Sequence, residues 1–187
     1  MAIVTLTDSG KEFRTQPEVM EFLRGHAIWY RRFEGLERLP EAATEAEILR
    51  AYAQPIDAQK ASGGYVTADV IDILPDTPGL QLMLDKFNRE HWHDEDEVRF
   101  IVEGRGIFHV NPAEGPVFRI EVHAGDMINL PSGTRHWFNL CAESRIRAIR
   151  LFIDRAGWLP HYSDSGVDAA HEPLCFGPSF IPPRGTD

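Results

Sequence analysis

His91 and His93 stand one residue apart in the stretch Glu90-His91-Trp92-His93-Asp94-Glu95-Asp96-Glu97-Val98-Arg99-Phe100. In an extended chain successive side chains point to opposite faces, so the two imidazoles share one face and Trp92 takes the other. Glu97 and Arg99 keep the same odd parity as they enter the apolar run from Val98 to Val102. Two imidazoles and a carboxylate on one inner face are three ligands for a metal ion. The plainer alternative is a polar turn feeding a strand, and Asp94, Glu95 and Asp96 do read as a solvated turn.

A fourth ligand is offered by the stretch from Gly125 to Asn139, "GDMINLPSGTRHWFN". A glycine turn, an apolar strand and a tight Pro131-Ser132-Gly133 bend place His136 at the start of a returning strand. In a rolled antiparallel barrel that strand can lie beside the first. Three neutral imidazoles and one carboxylate suit Fe(II), Ni(II), Mn(II), Co(II) or Zn(II), and a six-coordinate ion keeps two positions open for substrate or water. His26, His109, His123, His161 and His171 have no comparable partners in sequence and read as ordinary residues.

Around this set, Arg99 shares the Glu97 face and is the first choice for holding a developing negative charge; a surface ion pair with the acids at 94–96 is the alternative. Arg150, in the alternating run Ile149-Arg150-Leu151-Phe152, is the second candidate: pointing inward it demands an anionic ligand or a buried acid, and a surface ion pair is the alternative. Glu90 reads as a general base or as an acceptor behind a ligand imidazole, and Asp96 as another such acceptor.

The elements that must position these residues are legible in outline. Thr15-Gln16-Pro17-Glu18 and Thr44-Glu45-Ala46-Glu47 fit capping boxes opening helices, the first running to Gly25. Pro55 is expected to end or kink the second, with helix resuming near Asp57 until Gly63-Gly64. Residues 1–64 therefore read as mainly helical. Tyr65 to Ile73 alternates and reads as a strand, and Leu80 to Asn88 as a short helix. From there to about Asp154, short strands are separated by turn residues, among them Glu103-Gly104-Arg105-Gly106, Asn111-Pro112, Glu114-Gly115-Pro116 and Gly125-Asp126. That rhythm predicts a β-sandwich or barrel over 65–158, followed by an irregular tail over 159–187.

Composition bounds the rest. A chain of 187 residues with 43% hydrophobic content supports one domain with one core. A formal net charge of −10 excludes the positive footprint that nucleic acid or anionic lipid requires. No signal peptide or membrane-spanning run is read. Cys141 and Cys175 are too few for a disulfide scaffold and read as structural, paired or free, in a protein of a reducing cytoplasm. A monomer is the default.

The two ligand stretches resemble the paired motifs of the cupin superfamily, G-x5-HxH-x3,4-E-x6-G and G-x5-PxG-x2-H-x3-N, with Asp85 in place of the first glycine and Asn139 one residue early. "FNREHWHDEDEVRFIVEGRGIF", "GDMINLPSGTRHWFNL" and "RAIRLFIDRAGW" resemble, more narrowly, the acireductone dioxygenases of methionine salvage, from about Tyr65 to Trp158. The resemblance implies a mainly β, cupin-type double-stranded β-helix (a jelly-roll barrel) with N-terminal helices packed on it. It implies one Fe(II) or Ni(II) per chain on His91, His93, Glu97 and His136. Its substrate would be 1,2-dihydroxy-5-(methylthio)pent-1-en-3-one, cleaved with O2. Phe87, Phe138 and Trp158 match aromatic positions that enclose the substrate's methylthio tail, though by themselves they read as core residues; Arg99 and Arg150 would then stand at its oxygens on the strand reasoning above. The tail from Leu159 departs from the family pattern. The ligand set alone also fits another cupin dioxygenase or isomerase, or a cupin that binds a small ligand without turnover.

Overall fold

One long strand organises the molecule, and the short elements before it are arranged to flank it. The computed structural model describes residues 1–154 and 159–175. In chain order these form β1 (Ile3–Leu6), β2 (Glu12–Phe13), α1 (Gln16–Gly25), β3 (Trp29–Arg32), α2 (Glu45–Ala51), α3 (Ala53–Gly63), β4 (Thr67–Ile73) and α4 (Leu80–Phe87). Then follow β5 (His91–Trp92), β6 (Glu97–Val110), β7 (Phe118–His123), β8 (Asp126–Leu130), β9 (His136–Leu140), β10 (Ile146–Phe152) and β11 (His161–Tyr162).

β6 belongs to two antiparallel sheets. Its first half pairs with β8 and β10, giving the order β3-β8-β6-β10-β4. Its second half pairs with β9 and β7 in the order β11-β5-β9-β6-β7-β1-β2. The sheets pack on one another through a shared core that includes Val4, Phe118 and Ile120 from one and Tyr30, Ile128, Ile146 and Ala148 from the other. This is a jelly-roll arrangement, mainly β as the sequence predicts.

The strand changes sheet at a bulge. Arg147 faces Glu103 while Ala148 faces Ile101, so Val102 is the extra residue. Before it, Val98, Phe100 and Val102 point outward to a second core built with Ile48, Tyr52 and Ile56 of the helices. After it the parity is reversed, and Phe108 and Val110 join Ile101 in the core between the sheets. Gly104 has φ +75°, and a Cβ there would lie 2.0 Å from the Arg145 carbonyl oxygen, so only glycine fits. The expected turn at 103–106 is therefore a sheet-switching bulge inside a 14-residue strand.

Two details differ from expectation. The N-terminal part carries helices α1, α2 and α3, but it also contributes three short strands: β1 and β2 extend one sheet and β3 the other. These strands are stabilised by partners such as β7 and β8, about a hundred residues away in sequence. The helix is interrupted as Pro55 requires, α2 ending at Ala51, four residues before it, but helix resumes at Ala53 rather than near Asp57, with the proline in the first turn of α3, where an N–H has no intrahelical acceptor to lose. Both capping boxes form, with the Thr15 N–H donating to Glu18 over 3.1 Å and the Thr44 N–H to Glu47 over 2.8 Å. Helices α2 and α3 cover the outer face of the β4-β10-β6-β8 sheet, where fully burying a side chain such as Phe100 contributes about 1.5–3 kcal/mol.

Cys141 and Cys175, 34 residues apart, are joined by a disulfide with a Cα–Cα distance of 5.9 Å. Among the described residues, no helix is long and apolar enough to cross a membrane.

Candidate metal centre

His91, His93, Glu97 and His136 come together as the two motifs predict. All four are buried, and one ligand atom from each lies within 4.8 Å of all the others. The sheet explains the convergence. β5 and β9 pair with His91 directly opposite His136, and Glu97 opens β6. Gly133, φ +77°, turns the Pro131–Thr134 bend, and its N–H donates to the His93 carbonyl over 2.9 Å, which ties the two ligand stretches together. Trp92 points away, stacked on His161 at 4.2 Å between ring centroids.

Each imidazole is held from behind by a backbone carbonyl. His91 Nδ1 is 2.7 Å from the Arg89 oxygen, His136 Nδ1 2.8 Å from that of Thr134, and His93 Nδ1 3.2 Å from that of Leu159. A carbonyl can only accept, so Nδ1 carries the proton and each Nε2 presents a lone pair. Those lone pairs face a carboxylate: His136 Nε2 and His93 Nε2 lie 2.9 and 3.1 Å from Glu97 Oε2. Acceptors opposed at that distance repel unless a cation lies between them. Neighbouring ligand atoms at about 2.1 Å from a first-row ion are separated by about 3 Å. The donor set and its spacing fit such an ion.

Electrostatics keeps His91 and Glu97 in their binding forms. Burial, and then the neighbouring His136, push the His91 imidazole down to about 4, so it is neutral near pH 7. Burial pushes the Glu97 carboxyl up, but the Arg99 guanidinium beside it favours the charged form, and the group is held well below the usual carboxylate range.

Arg99 pairs with Glu97 rather than with the acids at 94–96: its Nε donates to Glu97 Oε1 over 2.8 Å. Arg150 sits directly across from Arg99 in the sheet, and across from Asp69 on its other side. Its Nε and Nη2 donate to the two Asp69 oxygens over 2.7 and 2.5 Å, so the acid that an inward arginine requires is Asp69.

The other expected residues are placed differently. Glu90 is buried, but it does not stand behind a ligand imidazole. Its carboxylate accepts from Asn111 Nδ2 at 2.6 Å and from the hydroxyls of Ser163 and Ser165. Burial raises this carboxyl, and those three donors more than offset it, leaving it below its ordinary value. A carboxylate saturated in this way is a poor base, so Glu90 fits a structural role better than the general base expected of it. Asp96 likewise serves the loop, accepting from Tyr65 Oη, Asn129 Nδ2 and the Ser132 N–H at 3.2, 3.0 and 3.0 Å. Phe138 packs on Phe108 at 4.8 Å, and Phe108 in turn lies 6.2 Å from the His136 ring. Phe87 ends α4, half-buried. Trp158 lies outside the described residues.

Sequence reasoning passed over the partners of this site: Asp69, Asn111, Ser163, Ser165 and the Leu159 carbonyl. Only Asp69 left a signal, because it points to the same side as Arg150 would on an adjacent alternating strand.

The chain is similar to known proteins along most of its length. The model of the ARD/ARD' family matches residues 7–160. An acireductone dioxygenase of Picosynechococcus sp. is 38% identical over 174 residues, covering 93% of this chain and 99% of the relative. That of Exiguobacterium sibiricum is 33% identical over 180 residues, covering 91% and 100%. Among solved structures, the acireductone dioxygenase of Bacillus anthracis with a cadmium ion in its active centre superposes with a TM-score of 0.78 at 33% identity, covering 87% of this chain and 98% of that one. The fold, the four converging ligands and these relatives agree, and the chain belongs to the ARD/ARD' family.

Proposed function

We propose that the chain is a metal-dependent acireductone dioxygenase, cleaving 1,2-dihydroxy-5-(methylthio)pent-1-en-3-one with O2. The observation that carries the reading is the convergence of three Nε2 lone pairs and one Glu97 oxygen on a common point, in a chain whose full-length relatives bear that name. We assign the metal to His91, His93, Glu97 and His136, one ion per chain, as Fe(II) or Ni(II). When bound, the ion supplies Lewis acidity and a template for adjacent substrate oxygens.

The remaining roles belong to the protein. Arg99 occupies Glu97 Oε1 and so leaves Oε2 for the metal; its charge also opposes the negative charge of an enediolate beside it. Arg150, fixed by Asp69, adds to the same positive field from the neighbouring strand. Phe87, Phe138 and Trp158 are assigned to the apolar tail of the substrate. With iron the expected products are formate and 4-methylthio-2-oxobutanoate; with nickel they are formate, carbon monoxide and 3-(methylthio)propanoate. We read residues 1–187 as one catalytic unit, a monomer acting in the cytoplasm in methionine salvage.

The test is O2-dependent loss of the acireductone's ultraviolet absorbance by apoprotein reloaded separately with Fe(II) and Ni(II), with headspace carbon monoxide recorded. Loss with either metal, and carbon monoxide with nickel alone, supports the reading. A filled site that leaves the absorbance unchanged overturns it in favour of a cupin that binds without turnover.

A further inference from the structure

Residues 159–175 lie beside the metal centre as a strap, attached along their length. The Leu159 carbonyl accepts from His93 Nδ1 at 3.2 Å. His161 and Tyr162 form β11 against Trp92 and His91 of β5. The Tyr162 hydroxyl donates to the Lys86 carbonyl over 3.0 Å, and the Ser163 N–H to that of Glu90 over 3.2 Å. The Ser163 and Ser165 hydroxyls hold the Glu90 carboxylate. Beyond a short 3-10 turn at Asp168–Ala170, the His171 ring lies 5.9 Å from that of Trp137, and Cys175 is bonded to Cys141. Cys141 directly follows β9, the strand that begins with His136.

The three ligand imidazoles do not depend on this strap equally. His91 and His136 are held by carbonyls two residues before them, at Arg89 and Thr134. His93 is held by a carbonyl 66 residues away in sequence, on the strap. The strap's other polar anchors include exposed ones: the His161–Asp94 pair spans side chains 42% and 67% exposed, so water competes for it. A covalent bond at the far end keeps all these weak contacts at high effective concentration.

We propose that the Cys141–Cys175 disulfide is a redox-operated fastener that positions His93, through the strap, in the metal centre. The inference rests on the four-ligand reading above. Reduction by a dithiol takes two electrons and two protons. A thiolate attacks the sulfur of half-buried Cys175, the buried Cys141 leaves as thiolate and is protonated, and the dithiol closes to its own disulfide as Cys175 is released. The strap then frays from its C-terminal end, the Leu159 carbonyl disengages, and His93 loses the contact that fixes its tautomer and orientation. Disulfides in reducing compartments are characteristically of this labile, regulatory kind.

The experiment uses full-length, nickel-loaded protein prepared in air and challenged with excess EDTA, with and without a water-soluble phosphine, which is oxidised to its oxide without adding a thiol that binds metal. A C141A/C175A variant runs in parallel, and deuterium uptake over 159–165 is followed. The air-prepared protein should titrate no free thiol and release nickel slowly. Phosphine should expose the two cysteines of the chain, raise deuterium uptake over 159–165 and speed release by about tenfold, the lower end for losing a partner behind a ligand imidazole. The variant should release quickly under both conditions. Equal release with and without phosphine in the wild type, or two free thiols in the air-prepared protein, overturns the proposal, and neither readout depends on the variant folding. If the apoprotein takes up no nickel, the metal reading fails by itself. Deuterium uptake of the strap then decides the fastener, and uptake indifferent to phosphine overturns it.

Discussion

The two oxygens of Glu97 are divided between two tasks: Oε1 accepts from Arg99 Nε at 2.8 Å, while Oε2 stands 2.9 Å from His136 Nε2. One carboxylate thus links the ligand set to a row of charge running through Arg99 and Arg150 to Asp69 across three adjacent strands.

Arg99→Ala should therefore retain metal but lose turnover by roughly 100- to 1,000-fold, the range for removing one charge-stabilising donor. Arg150→Ala, whose guanidinium is satisfied by Asp69, should lose less than Arg99→Ala. Steady-state kinetics alongside metal analysis checks both, and near-wild-type turnover in Arg99→Ala would remove it from the mechanism.

Glu97→Gln and His136→Ala should lose the metal itself. Removing a hydrogen-bond partner behind a ligand already costs about 10–100-fold in affinity, and removing the ligand should cost at least the upper end of that range. Competitive titration with a metallochromic dye measures it. Full occupancy of both variants at wild-type affinity would refute the four-ligand centre.

Gly104→Ala tests the bulge. The substitution puts a Cβ in a left-handed backbone and 2.0 Å from the Arg145 oxygen, so β6 and β10 must shift. A cost of about 3 kcal/mol is expected, lowering the thermal midpoint by roughly 6–12 °C. A midpoint within a degree of wild type would mean that the strand crosses between sheets differently.

His109 supplies a pH dependence away from the metal. It is fully buried and stacked on Trp137 at 4.8 Å, and burial, with the charges of Arg119 and His171, pushes it down to about 3. Between its unfolded value near 6.5 and about 3 the unfolded chain binds a proton that the folded chain does not. Stability is therefore complete above pH 6.5 and is lost as pH falls, by about 2 kcal/mol at pH 5. His109→Phe, which keeps the stack, should flatten this slope; denaturant midpoints at pH 7 and 5 that fall equally in both proteins would contradict it.

The metal ligands were legible because their geometry is local. Alternation fixes the faces of His91, His93 and Glu97, and the Pro131–Gly133 bend aims His136. The bulge was not, because Gly104 also reads as a turn until Arg145 and Arg147 lie opposite. β1 and β3 were missed because four-residue strands carry almost no periodicity and take their stability from partners far along the chain. Glu90 was misread for the same reason: its donors Asn111, Ser163 and Ser165 stand 21 to 75 residues away in sequence.

The central claim is that one ion held by these four side chains enables the chain to consume acireductone and O2. The most direct measurement is O2 uptake during titration of the apoprotein with Fe(II) at saturating substrate. No uptake is expected without metal, followed by a linear rise and a sharp break at one equivalent per chain. Uptake by the metal-free protein, or none at full occupancy, would contradict it.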